Sequence, residues 1–255
     1  MKHDARRRTG ARTMGAALLA TTALATVALA APGPAASNAL TPEEQKSGWR
    51  LLFDGKTTAG WRGFKKTGFP ADRWVVKDGA LQHVPTGTGD SHGGGDIVTV
   101  DRFSDFDLRF EWRIAPGANS GLKYFVTEER DGPIAHEYQV LDDARHPDAK
   151  IGPHRQTAAF YDVLPPAADK PVRPVGEWNE SRVLVRGNHV EHWLNGRKVV
   201  EYELGSPELA AAIARSKFKD VPGFGQKIAG HILLQDHGDE VAFRSIKILS
   251  APPTP

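Results

Sequence analysis

From Trp49 onward the chain alternates short apolar runs with Gly, Asp, Asn and Pro at intervals of about ten residues, the punctuation of an all-β protein. Phe106, Leu108, Phe110, Trp112 and Ile114 alternate with Asp107, Arg109, Glu111 and Arg113, which predicts a strand with one apolar and one polar face. Residues 74–77 and 80–83 flank Asp78-Gly79, a dipeptide suited to the positive φ angles of a tight hairpin turn. Across residues 182–204 two more turn dipeptides, Gly187-Asn188 and Asn195-Gly196, separate three apolar runs and predict a three-stranded meander. Residues 232–234 and 241–249 supply the last strands. A helical pattern occurs over 206–217, where Ser206 can cap, Pro207 suits the first position and Leu209, Ala212, Ile213 and Phe218 form an apolar side. Many short strands, one short inserted helix and no strand-helix alternation predict an antiparallel β-sandwich. No repeat of 20–50 residues is present in the sequence, which argues against a propeller or solenoid.

Residues 1–30 have a different character. Arg6, Arg7, Arg8 and Arg12 precede an apolar stretch from about Met14 to Ala30, and Ala28 and Ala30 fit an A-x-A cleavage site, so the segment is expected to be an export signal. The apolar stretch lies at the short end of the ~17–25 residues a membrane span needs and is mostly Ala and Thr. A secreted or periplasmic protein is therefore expected, without an integral membrane segment after cleavage. The arginines could suit twin-arginine export, although Thr9-Gly10-Ala11 match that signal poorly. The expected organisation is signal 1–30, linker 31–47, sandwich 48–250 and tail 251–255. Residues 1–30 hold five of the 33 basic side chains and one of the 31 acidic ones, so without them the formal charge goes from +2 to −2. Nothing in that balance calls for a nucleic-acid partner. Cysteine is absent, so stability must come from the core, and a metal could use only His, Asp, Glu and carbonyl ligands.

Candidate chemistry gathers at three places. In Glu137-Tyr138-Gln139-Val140-Leu141-Asp142, Glu137 and Gln139 share a strand face, and a bulge would bring Asp142 to the same side. The spacing matches the E-x-D-x-x-E strand of sandwich glucanases, but the central amide argues against a retaining pair of carboxylates about 5 Å apart. The bland alternative is a solvated polar face. In Asn119-Ser120-Gly121-Leu122-Lys123, Gly121 permits close approach of another backbone and Lys123 could polarise an oxygen. Gln235-Asp236-His237-Gly238 follows an apolar run, where a strand end can open into a cleft. His146 and His154, in the loop after Asp142, are candidate acids or bases. Trp61, Trp178 and Trp193 could act as sugar platforms, although the alternation around Trp193 points it into the core. No Gly-rich phosphate loop, G-x-S-x-G elbow or H-E-x-x-H motif is present in the sequence.

Several motifs in order carry a resemblance: Leu52-Phe53-Asp54-Gly55-Lys56, Trp74-Val75-Val76-Lys77-Asp78-Gly79, Asn119-Ser120-Gly121, the Glu137 to Asp142 run, Gly176-Glu177-Trp178-Asn179, Trp193-Leu194-Asn195-Gly196, and Leu234 to Gly238 continuing through Phe243-Arg244-Ser245-Ile246. Over residues 48–249 the chain resembles the 3-keto-disaccharide hydrolase domain family. Ser245 departs from the family's usual Asn, and Lys123 stands where many relatives place an arginine two residues later. The resemblance implies a concanavalin A-like jelly-roll sandwich acting on glycosides oxidised to a ketone at carbon 3. Such a ketone acidifies the carbon-2 proton, so that one base, one oxyanion stabiliser and one acid can expel the glycosidic oxygen by elimination. The expected catalytic set is Glu137 as base, Lys123 with Gln139 or His237 at the oxyanion, and Asp142 or His154 as acid. Asn119, Gln139, His146, Trp178 and Gln235 are expected to bind the carbohydrate substrate. No cofactor is required by this scheme; a divalent metal on some of these carboxylates and histidines is the alternative oxyanion stabiliser. A noncatalytic carbohydrate-binding module and an ordinary β-glucanase-like hydrolase are the competing readings.

Overall fold

A computed structural model describes residues 1, 37–85 and 95–250. The expected export signal beyond Met1, the expected linker as far as residue 36 and the expected tail at 251–255 lie outside the described residues. Thirteen strands are described: β1 (Arg50–Leu51), β2 (Trp61–Gly63), β3 (Trp74–Lys77), β4 (Ala80–His83), β5 (Ile97–Thr99), β6 (Phe106–Ile114), β7 (Asn119–Val126), β8 (His136–Leu141), β9 (Asn179–Arg186), β10 (His189–Leu194), β11 (Arg197–Glu203), β12 (His231–Leu234) and β13 (Val241–Ser250). They form an all-β jelly-roll sandwich with antiparallel pairing. The larger sheet runs β11-β10-β9-β6-β13-β4-β3, with β1 also paired to β13; the smaller runs β2-β5-β12-β7-β8.

The local chemistry of the turns explains the hairpins. Asp78 (φ 51°) with Gly79 (φ 72°), and Asn195 (φ 46°) with Gly196 (φ 82°), give two left-handed residues in succession, the twist that joins antiparallel strands in two residues. Along β6 the apolar positions are buried, as the alternation predicts. The inserted helix α2 follows a short helix α1 (Pro42–Lys46) in chain order and spans Pro207–Ile213. The Ser206 side chain accepts from Leu209 N–H, as expected. The helix stops four residues early: the N–H groups of Arg215 and Ser216 turn to carbonyls three residues back, and side chains take the two that follow, Asp162 that of Lys217 and Ser216 that of Phe218.

The end of the expected linker is built onto the sandwich. Thr41 and Glu44 form a capping box on α1, Lys247 reaches Glu44 (2.5 Å), and Asn38 joins the Gly79 carbonyl and the Ser245 N–H. Polar residues that read as a spacer are here satisfied by backbone groups of the domain.

Trp74, Phe110, Trp112 and Phe243 from the larger sheet pack with Leu122, Tyr124 and Tyr138 from the smaller one. The register of β10 overturns one expectation: His192 and Leu194 enter the core, while Trp193 lies outward beneath the Arg182 guanidinium. In β7 and β8 both faces are covered. Leu122, Tyr124, Tyr138 and Val140 face the core, so alternation directs Asn119, Gly121, Lys123, Glu137 and Gln139 to the opposite face. That face floors the candidate site.

Candidate active site

Register assembles the floor from four neighbouring strands. Lys123 pairs with Glu137 and Gly121 with Gln139. Gln235, just past β12, donates its N–H to the Gly121 carbonyl (3.0 Å). Asp96, just before β5, accepts the Asp236 N–H (2.7 Å). Because Leu234 pairs with both Leu122 and Ile97, the row Asp96, Gln235, Gly121, Gln139 crosses the sheet. A cleft of about 1180 Å³ opens above it, lined among others by Asp96, Asn119, Lys123, Glu137, Gln139, His146, Gln235 and His237.

Glu137 lies at the centre of the floor. The expected close approach at Gly121 comes from this carboxylate rather than from a backbone: a Cβ at position 121 would collide with Glu137 Oε1. Glu137 is 5% exposed. Lys123 Nζ stands 3.6 Å from its Oε2 and also donates to the Pro133 carbonyl (3.2 Å). With its amide nitrogen turned to the available acceptors, Gln139 donates to Glu137 Oε1 (3.0 Å) and to the Ser120 carbonyl (2.9 Å). The base candidate is thus held by one cation and one amide.

Asp96 carries the most perturbed carboxyl of the floor. It sits deep in the cleft yet keeps part of its surface open to it. Burial pushes it up to about 6; the Lys123 ammonium and the Asp236 amide oppose this, and the charges of Asp236 and Glu137 add to it. His237 is pushed below its ordinary value, chiefly by burial.

His146, His237 and Asp239 each offer a ligand atom within 4.8 Å of the others. Both imidazole lone pairs are already engaged: His146 Nδ1 accepts from Asp148 N–H (3.1 Å) and His237 Nε2 from the Asn119 amide (3.1 Å), while Asp239 Oδ2 accepts Asn119 N–H (2.9 Å). The ring of His146 consequently carries its proton on Nε2, so the trio fits a hydrogen-bonded wall better than a set of free metal ligands.

Seven of the ten expected site residues line this cleft: Lys123, Glu137, His237, Asn119, Gln139, His146 and Gln235. Asp142, His154 and Trp178 do not. No bulge carries Asp142 across; β8 ends at Leu141, and the Asp142 carboxylate caps the strand end by accepting from the N–H groups of Gly117, Ala144 and Arg145. Burial would raise its pKa, but these donors and the Arg145 guanidinium hold it below its usual value, the opposite of an acid catalyst. His154 turns to Asp162 (3.7 Å) on a short 3-10 turn. Trp178 packs against Arg113 and Arg244, whose strands belong to the other sheet. Of the other tryptophans, Trp61 is buried, with its indole N–H on the Leu52 carbonyl.

The sequence reading missed Asp96 and Tyr161. Tyr161 lines the cleft and donates to Asp148 Oδ2 (2.8 Å). Asp96 stands immediately before a buried apolar strand, the mirror of Gln235 immediately after one, and that symmetry was the available signal.

Known proteins share this arrangement of chain and fold. A 3-keto-disaccharide hydrolase of Bacteroides thetaiotaomicron is 37% identical over 240 residues, covering 84% of this chain and 82% of the relative. A crystal structure of a candidate glycosyl hydrolase from Parabacteroides distasonis superposes with a TM-score of 0.76 at 33% identity, over 85% of this chain and 100% of that one. A second from the same organism gives 0.59 at 27% identity, over 80% and 99%. Residues 48–249 match the family model described as the 3-keto-alpha-glucoside-1,2-lyase-like domain, and the chain belongs to that family.

Proposed function

We propose that the cleft cleaves glycosides whose sugar carries a ketone at carbon 3, with Glu137 removing the carbon-2 proton. The observation that carries this reading is the buried Glu137 carboxylate over Gly121, with the Lys123 ammonium 3.6 Å away. Proton transfer from carbon 2 to Glu137 leaves an enolate whose oxygen needs a cation, and Lys123 retains N–H donors beyond the one given to Pro133. Gln139 spends both amide hydrogens on Glu137 and Ser120, so its part is to orient the base. When the enolate re-forms the ketone, the carbon 1 to carbon 2 double bond forms and the bond to the glycosidic oxygen breaks. Addition of water to that double bond completes a hydrolysis. The two halves agree with a family described as 1,2-lyase-like and a relative named a hydrolase. A noncatalytic sugar-binding module would want tryptophan platforms in the cleft, whereas Trp61 is buried and Trp178 and Trp193 lie elsewhere. In the same reading residues 1–30 direct export, with a mature N-terminus between residues 31 and 38; recovery of protein that retains residues 2–30 would overturn this.

The test compares a 3-keto-glucoside with its unoxidised parent, each with and without a chelator. Cleavage should require the ketone and survive the chelator. Glu137→Gln should lower kcat by about 10²–10⁴ with little change in substrate binding, and should abolish exchange of the carbon-2 hydrogen in heavy water. Equal turnover of the parent glycoside would sink the elimination path. Loss of activity to the chelator, restored by a divalent cation, would assign the oxyanion to a metal on the histidine wall.

A further inference from the structure

We infer that Asp96 is the acid that protonates the departing glycosidic oxygen. The inference rests on Glu137 as base, and the experiment below separates the two.

The geometry comes from the row across the sheet. Asp96 lies two strands from Gly121, the position over which the Glu137 carboxylate leans, with Gln235 between them. At the usual strand spacing that places the Asp96 and Gly121 backbones about 10 Å apart. Side chains reaching inward from both ends, each needing a contact of about 3 Å, leave room for one sugar edge bearing carbon 1 and carbon 2. The carboxyl is oriented for this task. Its Oδ1 is pinned by Asp236 N–H, and its Oδ2 has no hydrogen-bond partner among the described residues.

Of the other carboxyl groups at the cleft, Asp131 is solvent-exposed and the rest have partners elsewhere. Asp148 pairs with Arg155 (2.8 Å) and accepts the Tyr161 hydroxyl, which thereby spends its own proton. Asp236 is tied to His83 and Gly238, and Asp239 to Asn119. Burial, which favours the neutral carboxyl, suits Asp96 to hold a proton near neutral pH, and displacement of cleft water by substrate works in the same direction.

The step balances. The carbon-2 proton passes to Glu137, the electron pair runs through the enolate into the new carbon 1 to carbon 2 bond, and the bond from carbon 1 to oxygen breaks. The leaving oxygen takes the Asp96 proton. In the hydration half the Asp96 carboxylate accepts a proton from the water that adds to carbon 1, and Glu137 returns its proton to carbon 2, restoring both groups.

Asp96→Asn tests the assignment through leaving groups. With a 3-keto-glycoside of a simple alcohol, kcat should fall by about 10²–10⁴. With a 4-nitrophenyl leaving group, which departs without protonation, the single-turnover rate of nitrophenolate release, a step that precedes hydration, should fall by less than about tenfold. Exchange of the carbon-2 hydrogen in heavy water should continue, whereas Glu137→Gln loses exchange and both substrates alike. Asp96→Glu, which keeps an acid, should recover part of the alcohol activity. Equal losses on both leaving groups, lost exchange, or an unimpaired alcohol substrate would each overturn the assignment.

Discussion

The Glu137 carboxylate occupies the space that any side chain at position 121 would fill. The obstacle to a Cβ there is the far end of a side chain, which can swing aside, so Gly121→Ala should leave the fold intact while displacing the base. The expected result is a Tm within about 4 °C of wild type, since 1 kcal/mol shifts Tm by about 2–4 °C at this size, with kcat lowered at least about tenfold. Unchanged kcat would mean that Glu137 has another productive position. At this scale the sequence disclosed most of the site, because strand alternation alone places Asn119, Gly121, Lys123, Glu137 and Gln139 on one face. It failed at Asp142, where the E-x-Q-x-x-D spacing was carried one residue past the end of the strand into a cap. It failed at Asp96 because the residue's partners come from β7, β8 and the segment after β12, all distant in sequence.

Among the elements, β7 departs most from simple alternation, and the departure sets the floor. His231 pairs with Val126 but Leu233 with Lys123, so β7 holds one extra residue, and Phe125 adopts a φ of 58°. The bulge lets Tyr124 and Phe125, consecutive in sequence, both join the aromatic core, while Lys123 keeps its place facing the cleft. Gly230 makes the bulge possible. A Cβ there would lie 2.5 Å from Phe125 Cα and 2.6 Å from Val126 N, backbone atoms that cannot rotate away. Gly230→Ala should therefore destabilise by about 1–3 kcal/mol, the range of overpacked sites. A melting temperature within 2 °C of wild type would show that β12 and β7 can separate without loss. The hairpins were legible because Asp-Gly and Asn-Gly turns are local chemistry; the bulge was not, since its cause is a glycine more than a hundred residues away.

Across the whole molecule the two sheets are joined by a buried polar relay as well as by apolar packing. Ala158 offers only a carbonyl, so His192 Nδ1–H donates to it (3.0 Å) and His192 Nε2 accepts the Tyr124 hydroxyl (2.8 Å). Tyr124 then accepts from Tyr202 (2.6 Å), and Tyr202 from His136 Nδ1–H (2.9 Å). His136 and Tyr124 belong to the smaller sheet, His192 and Tyr202 to the larger one. Both imidazoles are neutral: burial pushes His136 down to about 3 and His192 to about 4. In the unfolded chain each would take a proton near pH 6.5. Below that pH the unfolded state binds protons that the native state refuses, so stability is complete above about pH 6.5 and falls as the pH drops toward 4. The slope is about 1.4 kcal/mol per pH unit for each ring. His189, raised by Glu203 and Glu191 at the surface, and Asp96, pushed up to about 6 by burial, work in the opposite direction; the exposed His189 pairs are screened by solvent and offset little, whereas Asp96 offsets part of one ring's share below about pH 6. Urea unfolding at pH 7, 6, 5.5 and 5 should show this loss, and His192→Gln, whatever its stability at pH 7, should show a slope lower by one ring's share. Since His136 precedes Glu137 on β8, loosening of the relay should also reach the cleft floor, with activity and stability declining together below pH 6. An unfolding free energy unchanged from pH 7 to 5 would place a charged imidazole inside the folded core and sink this account of how the sheets are joined.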